Sequence, residues 1–180
     1  MATVVVAPVQ ARADAPKGAA PRASAPGDPK LDNSFSPASV PVGRTSTLTF
    51  TVTVTVTGPS SNPGPGPANA RRSWWFTDVL SPGLRLVRAA HARTNCAVHS
   101  LTADYGRNRI AVEGGALRPG QRSCEVVVGV TSDSPGTYRN SATNVTGIGG
   151  LALPGSADVT FSAASPERHV RGVPSGSSPR

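Results

Sequence analysis

Four side chains in the middle of the chain, His91, Cys96, His99 and Cys124, are of the types that hold zinc, and Cys96 and His99 stand in C-x-x-H spacing. Structural zinc is usually held by two close pairs of ligands. Cys124 has no second ligand near it in sequence, so no metal is assigned to the four. The two cysteines keep two readings: a disulfide if the domain is exported, or two buried apolar thiols if it stays in the cytosol. Nucleophilic catalysis needs a Ser, Thr or Cys with a base beside it. The chain contains no G-x-S-x-G, no H-E-x-x-H and no Walker loop, and nothing in sequence pairs a hydroxyl with His91 or His99. The acids are dispersed, without the alternating carboxylates of a calcium loop. Asp78, closing Phe76-Thr-Asp78, reads as a cap for the next turn. No catalytic, cofactor-binding or metal-ligating residue is predicted, and the chain is expected not to be an enzyme.

Gly147-Ile-Gly-Gly-Leu-Ala152 matches the G-x-G-x-x-A dinucleotide pattern. That pattern works only between a strand and a helix whose N-terminus receives the pyrophosphate. Here Leu153-Pro154-Gly155 and a strand follow, so a loop is predicted. Leu153-Pro-Gly-Ser-Ala157 lacks the Thr-Gly pair and apolar tail of a sortase signal. Asn144-Val-Thr146 is a sequon that matters only in a glycosylating host. Tyr138, after Asp133-Ser-Pro-Gly-Thr137, resembles the tyrosine corner of Greek-key sandwiches, whose hydroxyl bonds nearby backbone. The candidate interaction patch is Arg71, Arg72, Trp74 and Trp75. In a strand the two tryptophans point to opposite faces, so at most one lies in the core. The other, beside two arginines, has the composition of a binding hot spot, or else it packs under the Pro-Gly segment before it.

The elements that must position these residues repeat with period two. From Thr45 to Thr57 every odd position is Thr, and Leu48, Phe50, Val52, Val54 and Val56 alternate with them, the pattern of a half-buried strand. At about 3.3 Å per residue such a strand would exceed ~40 Å, so its end is expected to bend or project. Further strands are predicted at Ser73–Leu80, Arg109–Glu113, Cys124–Thr131, Thr137–Thr143 and Ala157–Ser162. Leu84–Ala89 reads as a strand with a helix as competitor. Four Pro-Gly pairs (Pro82-Gly83, Pro119-Gly120, Pro135-Gly136 and Pro154-Gly155) supply turns. Six to eight short strands spaced in this way predict an all-β antiparallel sandwich.

Of 180 residues, 19 are Gly and 18 are Pro, and the excess is local. Residues 1–32 read as a disordered leader, 163–180 as a disordered tail, and 58–69 as a Pro/Gly-rich insertion within a domain spanning 33–162. Thr3–Val9 with the small residues Ala11, Ala13 and Ala15 looks like a degraded signal segment without a preceding positive charge. No apolar run is long enough to span a membrane as a helix. The net charge is +8, and the cations are nearly all arginine, Lys17 and Lys30 being the two lysines. Such a charge invites polyanion binding, but the arginines are spread out, Arg71-Arg72 being the one adjacent pair.

Ser34-Phe-Ser-Pro37, followed by Gly43 and Ser46-Thr-Leu-Thr-Phe50, resembles the opening of the Ig-like conserved-repeat domains of bacterial cell-surface proteins. The likeness continues in order through Phe76-Thr-Asp-Val-Leu-Ser-Pro-Gly-Leu84, Asn95-Cys96, Gly114–Val126 and Ser134-Pro-Gly-Thr-Tyr-Arg-Asn140. The Pro-Gly segment with Arg71-Arg72-Ser-Trp-Trp75 replaces the short Asn-rich turn of that pattern. The resemblance implies an Ig-like sandwich, a disulfide between Cys96 and Cys124, and an extracellular or cell-surface location. The expected function is a structural or adhesive module, its partner a neighbouring surface domain or an extracellular ligand rather than nucleic acid. The alternative is a basic polyanion-binding module acting through surface arginines.

Overall fold

The computed structural model describes residues 29–54, 73–88, 92–118 and 120–164. Residues 1–28 of the leader, the insertion 58–69, Arg71, Arg72, His91 and nearly all of the tail lie outside them. The described residues form strands and turns with no helix.

The threonine-alternating segment makes β3 (Ser46–Thr53), with Leu48, Phe50 and Val52 buried and the threonines half-exposed. It runs between β1 (Lys30–Ser36) and β9 (Ser123–Thr131), antiparallel to both. In β9, Cys124, Val126, Val128 and Val130 point inward, as their spacing requires. Two short strands, β5 (Arg85–Leu86) and β6 (Arg93–Thr94), pair with the other edge of β9. A second sheet runs in the order β11 (Val145–Gly149), β4 (Trp74–Val79), β8 (Arg109–Gly115), β7 (Ser100–Asp104). It turns Trp74, Phe76, Ile110 and Val112 inward, and Phe50 of the first sheet meets Phe76 at 5.1 Å between ring centroids. A third, three-stranded sheet places β12 (Ala157–Ser162) between β10 (Gly136–Asn140) and β2 (Ser39–Pro41). Each large apolar side chain withdrawn from water contributes about 1.5–3 kcal/mol, so these facing stripes hold the layers together.

Several expectations need correction. Lys30–Asp32, assigned to the leader, belong to β1, because Leu31 is fully buried in the core. Of the long threonine run, Ser46–Thr53 form the strand and Val54, buried, still donates to the Arg122 carbonyl at 2.9 Å, while residues 55–57 lie outside the described residues. Of the predicted Leu84–Ala89 strand, Arg85 and Leu86 form a strand paired with β9 and Val87 donates to the Gly129 carbonyl of β9 at 2.9 Å, while Ala89 lies outside the described residues. Gly147–Gly149 is strand rather than loop. One strand pair, β12 with β2, is parallel in an otherwise antiparallel arrangement. Strands β2, β6, β7 and β11 are too short or too glycine-rich to announce themselves by alternation.

Candidate functional site

Alternation along β4 puts Trp74 and Trp75 on opposite faces: Trp74 is fully buried and Trp75 is 45% exposed. Trp74 fits because Gly115 stands across from it on β8; a Cβ there would come within 2.4 Å of the indole. Trp75 lies across β11. A Cβ on Gly147 would meet its ring at 2.8 Å, and one on Gly149 at 2.3 Å. The Gly-x-Gly of the false dinucleotide pattern is therefore a seat for an indole whose other face meets solvent.

Strand register extends this site into a surface. Gly147, Thr77, Ala111 and Thr102 lie side by side on β11, β4, β8 and β7, all small and all facing outward. The next row holds Gly149, Trp75, Glu113 and Ser100; Glu113 and Gly114 together face Trp75 across an irregularity in the β4–β8 pairing. Gly114 takes the left-handed φ of 61° that permits it. Val79, Arg109 and Asp104 close the other end. The result is an outward sheet face with a hydroxyl-bearing floor and one exposed aromatic side chain.

Asp78 lies on the opposite side of β4 and is fully buried. Asn140 donates to both its carboxylate oxygens at 2.9 and 3.1 Å. Asn33 in turn donates to the Asn140 side-chain oxygen at 2.6 Å and to its carbonyl at 3.2 Å. Burial pushes the Asp78 carboxyl up to about 7, only partly offset by the Asn140 hydrogen bond. The expectation that Asp78 caps a turn is thus overturned: it joins β4 to β10 and, through Asn140, to β1. No solvent-exposed substrate reaches it.

Cys96 and Cys124 are bonded to each other, which removes both from the zinc set. Thr94 and Asn95 brace the bridge through hydrogen bonds with the Glu125 backbone. His99 is exposed and packs against Gly114. Among the described residues no three His, Cys, Asp or Glu side chains converge as a metal site would require. The Tyr138 hydroxyl donates to the Ser134 carbonyl at 2.9 Å, and its ring covers Gly83, where a Cβ would come within 2.6 Å of it. The Asn144 amide of the sequon donates to the Val79 carbonyl at 2.9 Å and to Ser81 at 3.1 Å, a structural use. Sequence reasoning singled out Trp75 but missed its surroundings: Gly147, Gly149, Thr77, Ala111, Thr102 and Glu113. The one signal for them was a glycine pair at i, i+2, the spacing of one strand face.

Residues 29–161 match a family described as a domain of unknown function, DUF7933. The chain belongs to that family. No curated protein matches this DUF7933 domain. It is similar to the crystal structure of the seventh ScaB type I cohesin from Pseudobacteroides cellulosolvens, at 11% identity and TM-score 0.49, over 78% of this chain and 97% of that one. It is also similar to the collagen-binding domain of a Staphylococcus aureus adhesin, at 9% identity and TM-score 0.40, over 77% and 99% of the two chains.

Proposed function

We propose that this domain is a non-enzymatic adhesive module of an exported or cell-surface protein, and that it touches its partner through the outward face of the β11-β4-β8-β7 sheet. One observation carries the reading: Trp75, a large aromatic at 45% exposure, is seated on two glycines instead of being covered. Tryptophan dominates binding hot spots because a rigid ring buries much area at little entropic cost. The Cys96–Cys124 bridge supports the exported location, since such bonds persist in oxidising compartments. Cosedimentation of the full chain with isolated bacterial cell walls tests the contact. Wild type is expected to pellet with the walls and Trp75→Ala to stay in the supernatant with its fold intact. Equal pelleting of the two proteins overturns the reading.

Polyanion binding is the second reading. It is favoured by Arg44, Arg93, Arg109, Arg118 and Arg122, which are exposed and outside the ion pairs formed among the described residues. Salt-sensitive retention on heparin that is lost in Arg71→Ala/Arg72→Ala would support it, and no retention at low salt would exclude it.

A further inference from the structure

We infer that residues 16–28 of this chain lie across the Trp75 face of the same molecule, with a proline ring on the indole and the cation that follows it at Glu113. This goes beyond the contact role: it stands on where the chain enters the domain, and an external partner has to displace the segment.

The chain enters the fold beside the seat of the indole. Ala152 donates to the Pro29 carbonyl at 2.8 Å, and Leu31 donates to the Ala152 carbonyl at 3.2 Å. Ala152 is three residues past Gly149, against which Trp75 lies, a span of at most about 11 Å. The pairing is parallel, so passing back from Lys30 toward Asp28 follows the direction from Ala152 back toward Gly149. β11 is the edge of its sheet, and among the described residues no strand stands between this entry and the indole. At about 3.1 Å per residue, an extended proline-rich segment 16–28 reaches about 40 Å, more than enough to cross a face whose strands are ~4.8 Å apart. The segment also follows the small residues Ala11, Ala13 and Ala15, so a cleavage there leaves it attached.

The chemistry of the segment matches the face. Pro16, Pro21 and Pro26 recur at equal spacing. A proline ring stacks well on an exposed indole, and a proline-rich segment is already extended, so little entropy is lost when it docks. Two of the three are followed at once by a cation, as Pro16-Lys17 and Pro21-Arg22. Glu113 stands on β8, the strand next to Trp75; it is exposed, and among the described residues it is in no ion pair. One strand spacing is about 4.8 Å, within reach of a lysine or arginine that follows a proline seated on the ring. The other proline-rich segment, 58–69, contains no charged residue, so charge complementarity selects 16–28. Leu153, the other large apolar side chain exposed among the described residues, directly follows Ala152, so the uncovered apolar surface lies around this entry.

The test is nuclear magnetic resonance of the isotopically labelled full chain in low salt, read through nuclear Overhauser contacts between the Trp75 ring and proline ring protons. Contacts from Pro16 or Pro21 are expected. Pro16→Ser/Pro21→Ser should abolish them and move the Trp75 indole N–H signal while leaving that of buried Trp74 in place. Glu113→Lys should abolish them as well. Combining it with Lys17→Glu/Arg22→Glu should restore them, a recovery that a merely structural role of Glu113 does not give. Each variant's thermal melt is recorded beside its spectrum, so a lost fold is not read as a lost contact. Contacts that survive Glu113→Lys overturn the charge pairing. Contacts from Pro59, Pro63, Pro65 or Pro67 instead give the face to the 58–69 segment and overturn the proposal. Contacts that arise only between labelled and unlabelled chains in a mixed sample point to a second copy and overturn it too. With no proline contact and an indole signal that no substitution moves, the docking is overturned, while the cell-wall experiment decides the contact role on its own.

Discussion

Two residues set measurable properties of the domain. Asp78 is the first. Its folded value of about 7 lies above the ordinary 3.8, so the folded state holds the proton more tightly than the unfolded chain. Stability from this group is therefore greatest below the unfolded value and falls as pH rises toward about 7, above which it changes no further. The full difference is on the order of 4 kcal/mol. Asp104 and Asp158 act in the opposite sense: hydrogen bonds from Arg107 and Arg139 hold them below the usual range, so their contributions are lost only in stronger acid. The melting temperature is thus expected to peak near about pH 4–5 and decline toward neutrality, and Asp78→Asn should remove the decline and raise stability at pH 8. A wild-type profile that is flat between those limits would count against the account. Gly115 is the second residue. Gly115→Ala drives a methyl group into the Trp74 ring and should cost about 1–3 kcal/mol in urea unfolding. Gly155→Ala, with nothing within 4 Å of the new atom, serves as the near-neutral control.

Among the elements, the strand pair β6–β9 depends most on covalent support. β6 has two residues and pairs with Val126 and Val127, too little to hold a connection in place unaided. The Cys96–Cys124 bridge closes this part of the chain at a separation of 28 residues. Cys96→Ala/Cys124→Ala is expected to lose about 3–4 kcal/mol by the loop-entropy model, read as a lower urea midpoint, with a steeper slope because the uncrosslinked unfolded chain exposes more surface. Legibility also divides at this scale. β3, β4 and β9 were readable because one face of each is fully buried and the other is not, which imprints period two on the residue types. β11 was not, because its outward residues are glycines chosen by the shape of an indole on another strand. β2 and β6 are set by their partners, not by their own propensity. Of the site, Trp75 was legible from its type and its place beside Trp74. The glycine seat, the floor and Glu113 became visible only through register, which joins residues far apart in sequence. The buried chain Asp78–Asn140–Asn33 was illegible for the same reason, and Asp78 therefore read as a turn cap.

At the scale of the whole molecule, two outward faces compete for the role of contact surface. The outer face of β3 carries Thr47, Thr49, Thr51 and Thr53, hydroxyl-bearing but without an aromatic. The outer face of β4 carries Trp75 on its glycine seat. The account places the contact on the second and treats the first as solvated surface. Hydrogen–deuterium exchange of the full chain, with and without solubilised bacterial cell-wall fragments at saturating concentration, separates them most directly. Slowed exchange is expected in β11, at the Trp75 end of β4 and at Glu113 and Gly114 of β8, with β1 and β3 unchanged. Protection confined to β1 and β3, or no protection anywhere at a concentration that saturates binding, would contradict it.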